Sequence, residues 1–162
     1  MNMVINTTPL TQAAFADFGE VIEPKDTADK MINQGNCGRH HDLAAMDFID
    51  GKAGISLFQS KIFSLPFKMD MMERHPEGSQ AFIPMAECEY LVVVAQDNDG
   101  VPSHPIAFVA QAGQAINITS NVWHGVLCPL SGTGLFAVVD RIGGGKNLAE
   151  HWFIDPLIIN QA

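Results

Sequence analysis

Hydrophobic positions along the chain fall into short runs, each closed by Gly, Pro, Asn or Asp. Nine runs stand out, at 54–62, 67–75, 80–85, 89–96, 105–110, 114–118, 122–127, 135–141 and 151–155. Several alternate apolar and polar residues, which is the period of a strand with one buried face. The run "EYLVVVAQ" at 89–96 is apolar without alternation, as a strand buried on both faces would be. Between the runs lie turn segments: "QDNDG", "QAG", "SGTG" and "GGG". Many short strands at this spacing predict an antiparallel sandwich or barrel. One segment breaks the pattern. "LTQAAFADFGE" at 10–20 sets Leu10, Ala14, Phe15 and Phe18 on one helical face and ends at Gly19, so it predicts a short N-terminal helix. Neither "GTG" at 132–134 nor "GGG" at 143–145 leads into a helix, so neither reads as a phosphate loop.

The polar residues inside this pattern are concentrated. "ERHPEGSQAFIP" at 73–84 carries Glu73 and His75 two residues apart, so in a strand both face one side. Gln80 follows across a turn at Pro76 and Gly78, with Phe82 on its face. His124 interrupts the apolar run "NVWHGVL", beside Trp123. The order Glu73-x-His75-x4-Gln80 resembles the first half of the two-part cupin signature, His-x-His-x4-Glu. Gly113-x5-Thr119-x-Asn121-xx-His124 resembles the second half, Gly-x5-Pro-x-Gly-xx-His. The resemblance implies a mainly β fold, a cupin-type double-stranded β-helix, as one domain over residues 1–162. As a metal set, Glu73, His75, Gln80 and His124 would offer a carboxylate, two imidazoles and a weak amide oxygen. That chemistry suits Ni, Mn, Fe or Zn better than Ca. The same residues also read as a metal-free pocket that binds substrate directly.

Composition narrows the function classes. Hydrophobic residues make up 47% of the chain, enough for a sizeable core. A net charge of −9 argues against nucleic acid and against an anionic membrane surface as partner. A small anionic substrate stays open, because one local Arg can hold a carboxylate. Cys37, Cys88 and Cys128 are odd in number and lack metal-site spacing, so they read as buried free thiols. The N-terminus has no basic leader and no run is long enough to span a bilayer, so a cytoplasmic protein is expected.

Longer strings make the likeness more specific. "ERHPEGSQAFIPM", "NVWHGVL" and "VDRIGGG", with "NQGNCGRHHDLA" at 33–44, resemble the ureidoglycolate lyase family over about residues 3 to 145. The chain departs from that family's pattern at Phe58 and Gln59, where a polar residue and a cationic donor are expected. The resemblance implies cleavage of ureidoglycolate to glyoxylate and urea, with a base for the hydroxyl proton, an acid for the leaving nitrogen and an anchor for the carboxylate. His75, His124, Glu73 and Asp140 are the implied catalytic candidates. Gln80, Arg39, His41 and Arg141 are the implied substrate contacts. A homodimer is implied as well. Competing readings are an amidohydrolase that releases ammonia, a non-catalytic small-carboxylate-binding cupin, and a metal-dependent dioxygenase or isomerase. The two substituted ligand slots weigh against the last.

Overall fold

A computed structural model describes residues 3–162. The strands, in order, are β1 (Val4–Asn6), β2 (Thr8–Pro9), β3 (Gly19–Ile22), β4 (Lys30–Ile32), β5 (Cys37–Arg39), β6 (Lys52–Gln59), β7 (Phe67–Arg74) and β8 (Gln80–Pro84). Then follow β9 (Tyr90–Asn98), β10 (Val101–Ala110), β11 (Ala115–Ile118), β12 (Trp123–His124), β13 (Cys128–Pro129), β14 (Leu135–Ile142) and β15 (Ala149–Asn160). The larger sheet runs β1-β15-β7-β12-β9-β10-β2, with β13 also on β9. The smaller sheet runs β3-β11-β8-β14-β6, and β4-β5 form a separate hairpin. The larger sheet curls until β1 approaches β10, which makes a nearly closed barrel. Each of the nine predicted runs contains all or part of a strand, though only Trp123–His124 of the run at 122–127 and residues 54–59 of the run at 54–62 are strand.

The chain's most apolar run explains why two cores exist. In β9, Tyr90, Val92 and Val94 face a core shared with Phe82, Phe108, Ile116, Phe136 and Val138. Leu91, Val93 and Ala95 alternate to a second core with Met69, Met72, Trp123 and Ile159. Each side chain of this size contributes about 1.5–3 kcal/mol when fully buried. No polar face is left on β9, so alternation is absent from its sequence. Its turn to β10 is the two-residue Asp99-Gly100, both at positive φ (51° and 83°), the pairing that matches strand twist in a tight hairpin.

The helix is shorter than the pattern predicts. α1 (Gln12–Phe15) is one turn, capped by Thr11, whose side chain accepts from the Ala14 amide. Leu10, Phe15 and Phe18 are buried as expected, but Phe18 lies past the helix and Ala14 is exposed. A single turn cannot carry the whole predicted face. Cys88 and Cys128 are buried free thiols, whereas Cys37 is exposed on the β4-β5 hairpin. Among the described residues no helix is long and apolar enough to cross a membrane.

Candidate active site

Glu73 is the penultimate residue of β7, directly opposite His124 of β12 in the antiparallel ladder. Partners opposite one another share a face, so the two side chains stand together. His75 continues the alternation one residue past the strand. The Asn121 amide donates to the His75 carbonyl (2.8 Å), which ties the end of β7 to the approach to β12. Glu73, His75 and His124 each offer one ligand atom, and these atoms all lie within 4.8 Å of one another. The imidazole centroids are 5.3 Å apart, and His75 Nε2 is 3.9 Å from Glu73 Oε1.

Hydrogen bonds at the back of each ring fix what faces the centre. His75 Nδ1 is 2.8 Å from the Asn147 carbonyl, and His124 Nδ1 is 3.0 Å from the Gly125 carbonyl. A carbonyl only accepts, so both Nδ1 atoms donate and both Nε2 atoms of the neutral rings carry free lone pairs. Both Nε2 atoms are buried without a partner. Back-side orientation of this kind is what metal-ligating imidazoles need. Burial pushes the His124 imidazole down to about 4, with the neighbouring His75 adding to the effect and the Gly125 carbonyl opposing it. Burial lifts the Glu73 carboxyl above the usual carboxylate range; His75 pulls it back and Glu150 adds to the rise.

Gln80 opens β8 and projects from the same strand face as Phe82, whose ring lies 6.4 Å from that of His124. Gln80 Nε2 donates to Asp140 Oδ2 (3.1 Å), while Gln80 Oε1 is buried without a partner. A cleft of about 410 Å³ opens beside Glu73, walled by Phe58, Phe82, Val126 and Leu127. Phe58, the departure noted in the sequence, is thus an apolar wall packed edge-on against Phe82. A second hollow of about 450 Å³ is bordered by Ile22, Pro24, Leu43, Ile83 and Met85 with Glu23, His40, Glu87 and Gln114 at its edge, where Gln114 Nε2 already donates to Glu23 Oε2 (2.9 Å).

The remaining candidates lie elsewhere. Arg39 and His41 are exposed at the β4-β5 hairpin, where Arg39 Nη2 meets His41 Nδ1 (2.8 Å). Arg141 is buried and occupied: Nε donates to the Ile49 and Asp50 carbonyls, Nη2 donates to the Gly144 carbonyl, and Nη2 pairs by charge with Glu77 Oε2 at 3.0 Å. That bonding ties three loops together. Sequence reasoning missed Asn147, which holds His75 through its backbone and the Glu77 amide through its side chain (2.7 Å). It also missed the Arg74–Asp97–Trp123 clamp behind His124. There Trp123 Nε1 and Arg74 Nη1 both donate to Asp97 Oδ1, and the Arg74 guanidinium lies 4.5 Å over the indole.

A paired Glu/His/His centre on an antiparallel barrel is a frame that many chemistries share, so the comparisons decide the family. The family model described as ureidoglycolate lyase matches residues 2–160. The chain belongs to the ureidoglycolate lyase family. Ureidoglycolate lyase of Rhodobacter capsulatus is 52% identical over 152 residues, covering 93% of this chain and 94% of that protein. Ureidoglycolate lyase 2 of Rhizobium meliloti is 47% identical over 156 residues (95% and 96%), and ureidoglycolate lyase of Chelativorans sp. 42% over 154 (94% and 93%). The chain is accordingly a lyase-family enzyme, and the match extends beyond residue 145 into β15.

Proposed function

We propose that the protein eliminates urea from ureidoglycolate and leaves glyoxylate, a step of purine-nitrogen breakdown through allantoin. The observation that carries the reading is the pair of imidazoles with buried, unpartnered Nε2 atoms beside a carboxyl lifted by burial, in a chain of this family. The substrate carbon bears a hydroxyl, a ureido nitrogen and a carboxylate. His75 Nε2 takes the hydroxyl proton, the C–O bond becomes a carbonyl, and the C–N bond breaks. Glu73 returns a proton to the departing nitrogen, because a urea anion is a poor leaving group. The apolar walls at Phe58 and Phe82 keep bulk water from the breaking bond.

As an alternative to these direct proton transfers, Glu73, His75 and His124 fit a divalent cation, which would take up the same lone pairs and carboxylate that the back-side bonds leave facing the centre. A Ni, Mn, Fe or Zn ion there would polarise the hydroxyl oxygen and anchor the carboxylate. The partner is a small molecule, with no nucleic acid or membrane surface, and the enzyme works in the cytoplasm. A homodimer is the expected assembly. The outer face of the smaller sheet supports it, since Ile55, Leu57 and Met85 are more than half exposed there.

The test is a product assay on racemic ureidoglycolate, before and after EDTA treatment and with metal added back. Glyoxylate and urea in equal amounts are expected. Ammonia in place of urea would move the chemistry to an amidohydrolase, and no turnover with any metal would leave a carboxylate-binding cupin. Activity lost to EDTA and restored by one ion would assign the cation.

A further inference from the structure

Gln80 is among the most buried polar residues of the chain, at 5% exposure. Its two amide ends have different fates. Nε2 donates to Asp140 Oδ2, whereas Oε1 is buried with no donor. An amide can turn over about its last bond, and here the neighbouring residue forbids it. A carboxylate only accepts, so turning the amide would set two oxygens against each other and bury the NH2 without that acceptor. Strand pairing makes the arrangement rigid. β14 pairs with β8 through Val139 and Ala81, which brings the neighbouring residues Asp140 and Gln80 side by side. On the far side β14 pairs with β6 through Asp140 and Gly54. A hydrogen bond from Nε2 to a carboxylate also enriches the amide oxygen and makes it a better acceptor.

We propose that Asp140 is a positioning residue that locks Gln80 with its oxygen inward, so that Oε1 accepts a hydrogen bond from a ureido N–H of the substrate. The inference rests on the function proposed above and assigns the polarity of one contact within it. The pocket thereby selects a ligand with an N–H donor at this point and rejects one that presents an acceptor there. An acceptor-only group suits the ureido nitrogen, which must keep its N–H oriented while the adjoining C–N bond breaks. The competing partner for Oε1 is the cation. A neutral amide oxygen is the weakest donor in that neighbourhood, and Glu73, His75 and His124 already form a three-ligand set.

The experiment uses full-length, metal-loaded protein and two ligands that do not turn over. N-carbamoylglycine keeps the ureido N–H groups and the carboxylate but lacks the hydroxyl; glyoxylate has no N–H at all. Asp140→Asn lets the Gln80 amide turn, because an Asn offers both a donor and an acceptor. The Kd of N-carbamoylglycine should rise about tenfold, the loss of roughly one hydrogen bond. The Kd of glyoxylate and that of the metal should stay within about twofold. The double variant Gln80→Glu with Asp140→Asn restores the polarity, since the Asn NH2 holds one carboxylate oxygen and the other faces inward. It should bring N-carbamoylglycine binding back to within about threefold of wild type. Equal weakening of both ligands would mean that Asp140 merely supports the fold and would overturn the proposal. So would weakened metal binding with unchanged N-carbamoylglycine affinity, which would make Oε1 a cation ligand. Wild-type protein that turns over ureidoglycolate while Asp140→Asn binds N-carbamoylglycine normally would defeat this inference alone. Wild-type protein with no turnover and no N-carbamoylglycine binding would defeat the functional reading beneath it.

Discussion

Two charged clusters are built into the same turn, "ERHPEGS", and they are treated in opposite ways. Glu73 and His75 lead to a centre where His75 Nε2, His124 Nε2 and, across the barrel wall, Gln80 Oε1 are all buried without partners. Glu77, two residues beyond His75, leads to Arg141, whose guanidinium meets three backbone carbonyls and the Glu77 carboxylate. Buried polar atoms are nearly always bonded, so a guanidinium already engaged by Ile49, Asp50, Gly144 and Glu77 needs no ligand to explain it, whereas two orphaned Nε2 atoms on rings 5.3 Å apart beside Glu73 do. In sequence, Arg141 was one of two candidate carboxylate contacts, beside Arg39; in the fold its bonds tie together the loops at 47–51, 75–79 and 143–147.

The difference predicts opposite responses to mutation. His124→Ala should reduce turnover by about a thousandfold or more, roughly 4 kcal/mol of transition-state stabilisation. The fold should survive with a lowered melting temperature, because the buried imidazole leaves a cavity and the Gly125 carbonyl loses its donor. Steady-state kinetics with a melting curve on the same sample checks it, and near-wild-type rates would remove His124 from the site. Arg141→Met should act mainly on stability. Three carbonyls lose their donor and the Glu77 carboxylate its counter-charge, at a cost of about 4 kcal/mol in stability by chemical denaturation. The KM of whatever variant remains folded should change little. A KM rise of tenfold or more with an unchanged denaturation midpoint would make Arg141 the substrate anchor after all and dissolve the contrast.

How much of this was legible depends on whether a residue's role is set locally. Glu73 and His75 could be paired from sequence because a strand repeats every two residues, and His124 stood out as a polar residue in an apolar run. The long strands were legible for the same reason. β1, β2, β3, β4, β5 and β13 were not, since two to four residues are too few to show a period. β15 was read only as far as Asp155. A shift of register between Trp152 and Leu157 and a proline at 156 break its alternation half-way. The Gln80–Asp140 bond spans sixty residues and depends on the register of β8 against β14. Asn147 acts on His75 through a carbonyl that every residue possesses, so its identity carries no signal for that role. Arg141 was put forward by the family resemblance and its charge, neither of which reveals that its guanidinium is already occupied.

The contrast also has a pH signature, smaller than the mutational effects. Burial pushes His124 down to about 4 in the folded state, while an unfolded chain titrates near 6.5. Between those values the unfolded chain binds a proton that the fold refuses, so acid favours unfolding. The contribution is nil well above pH 6.5, grows as pH falls to 4, and levels off below that at about 3 kcal/mol. Metal-stripped protein should show this loss in denaturation midpoints taken from pH 7.5 to 4, and His124→Phe should flatten that part of the curve. A bound cation should deepen the same limb, since proton and metal compete for Nε2 and the metal binds only the folded form. If stripped and loaded protein traced the same curve, the unpartnered Nε2 atoms of His75 and His124 would be reserved for substrate alone.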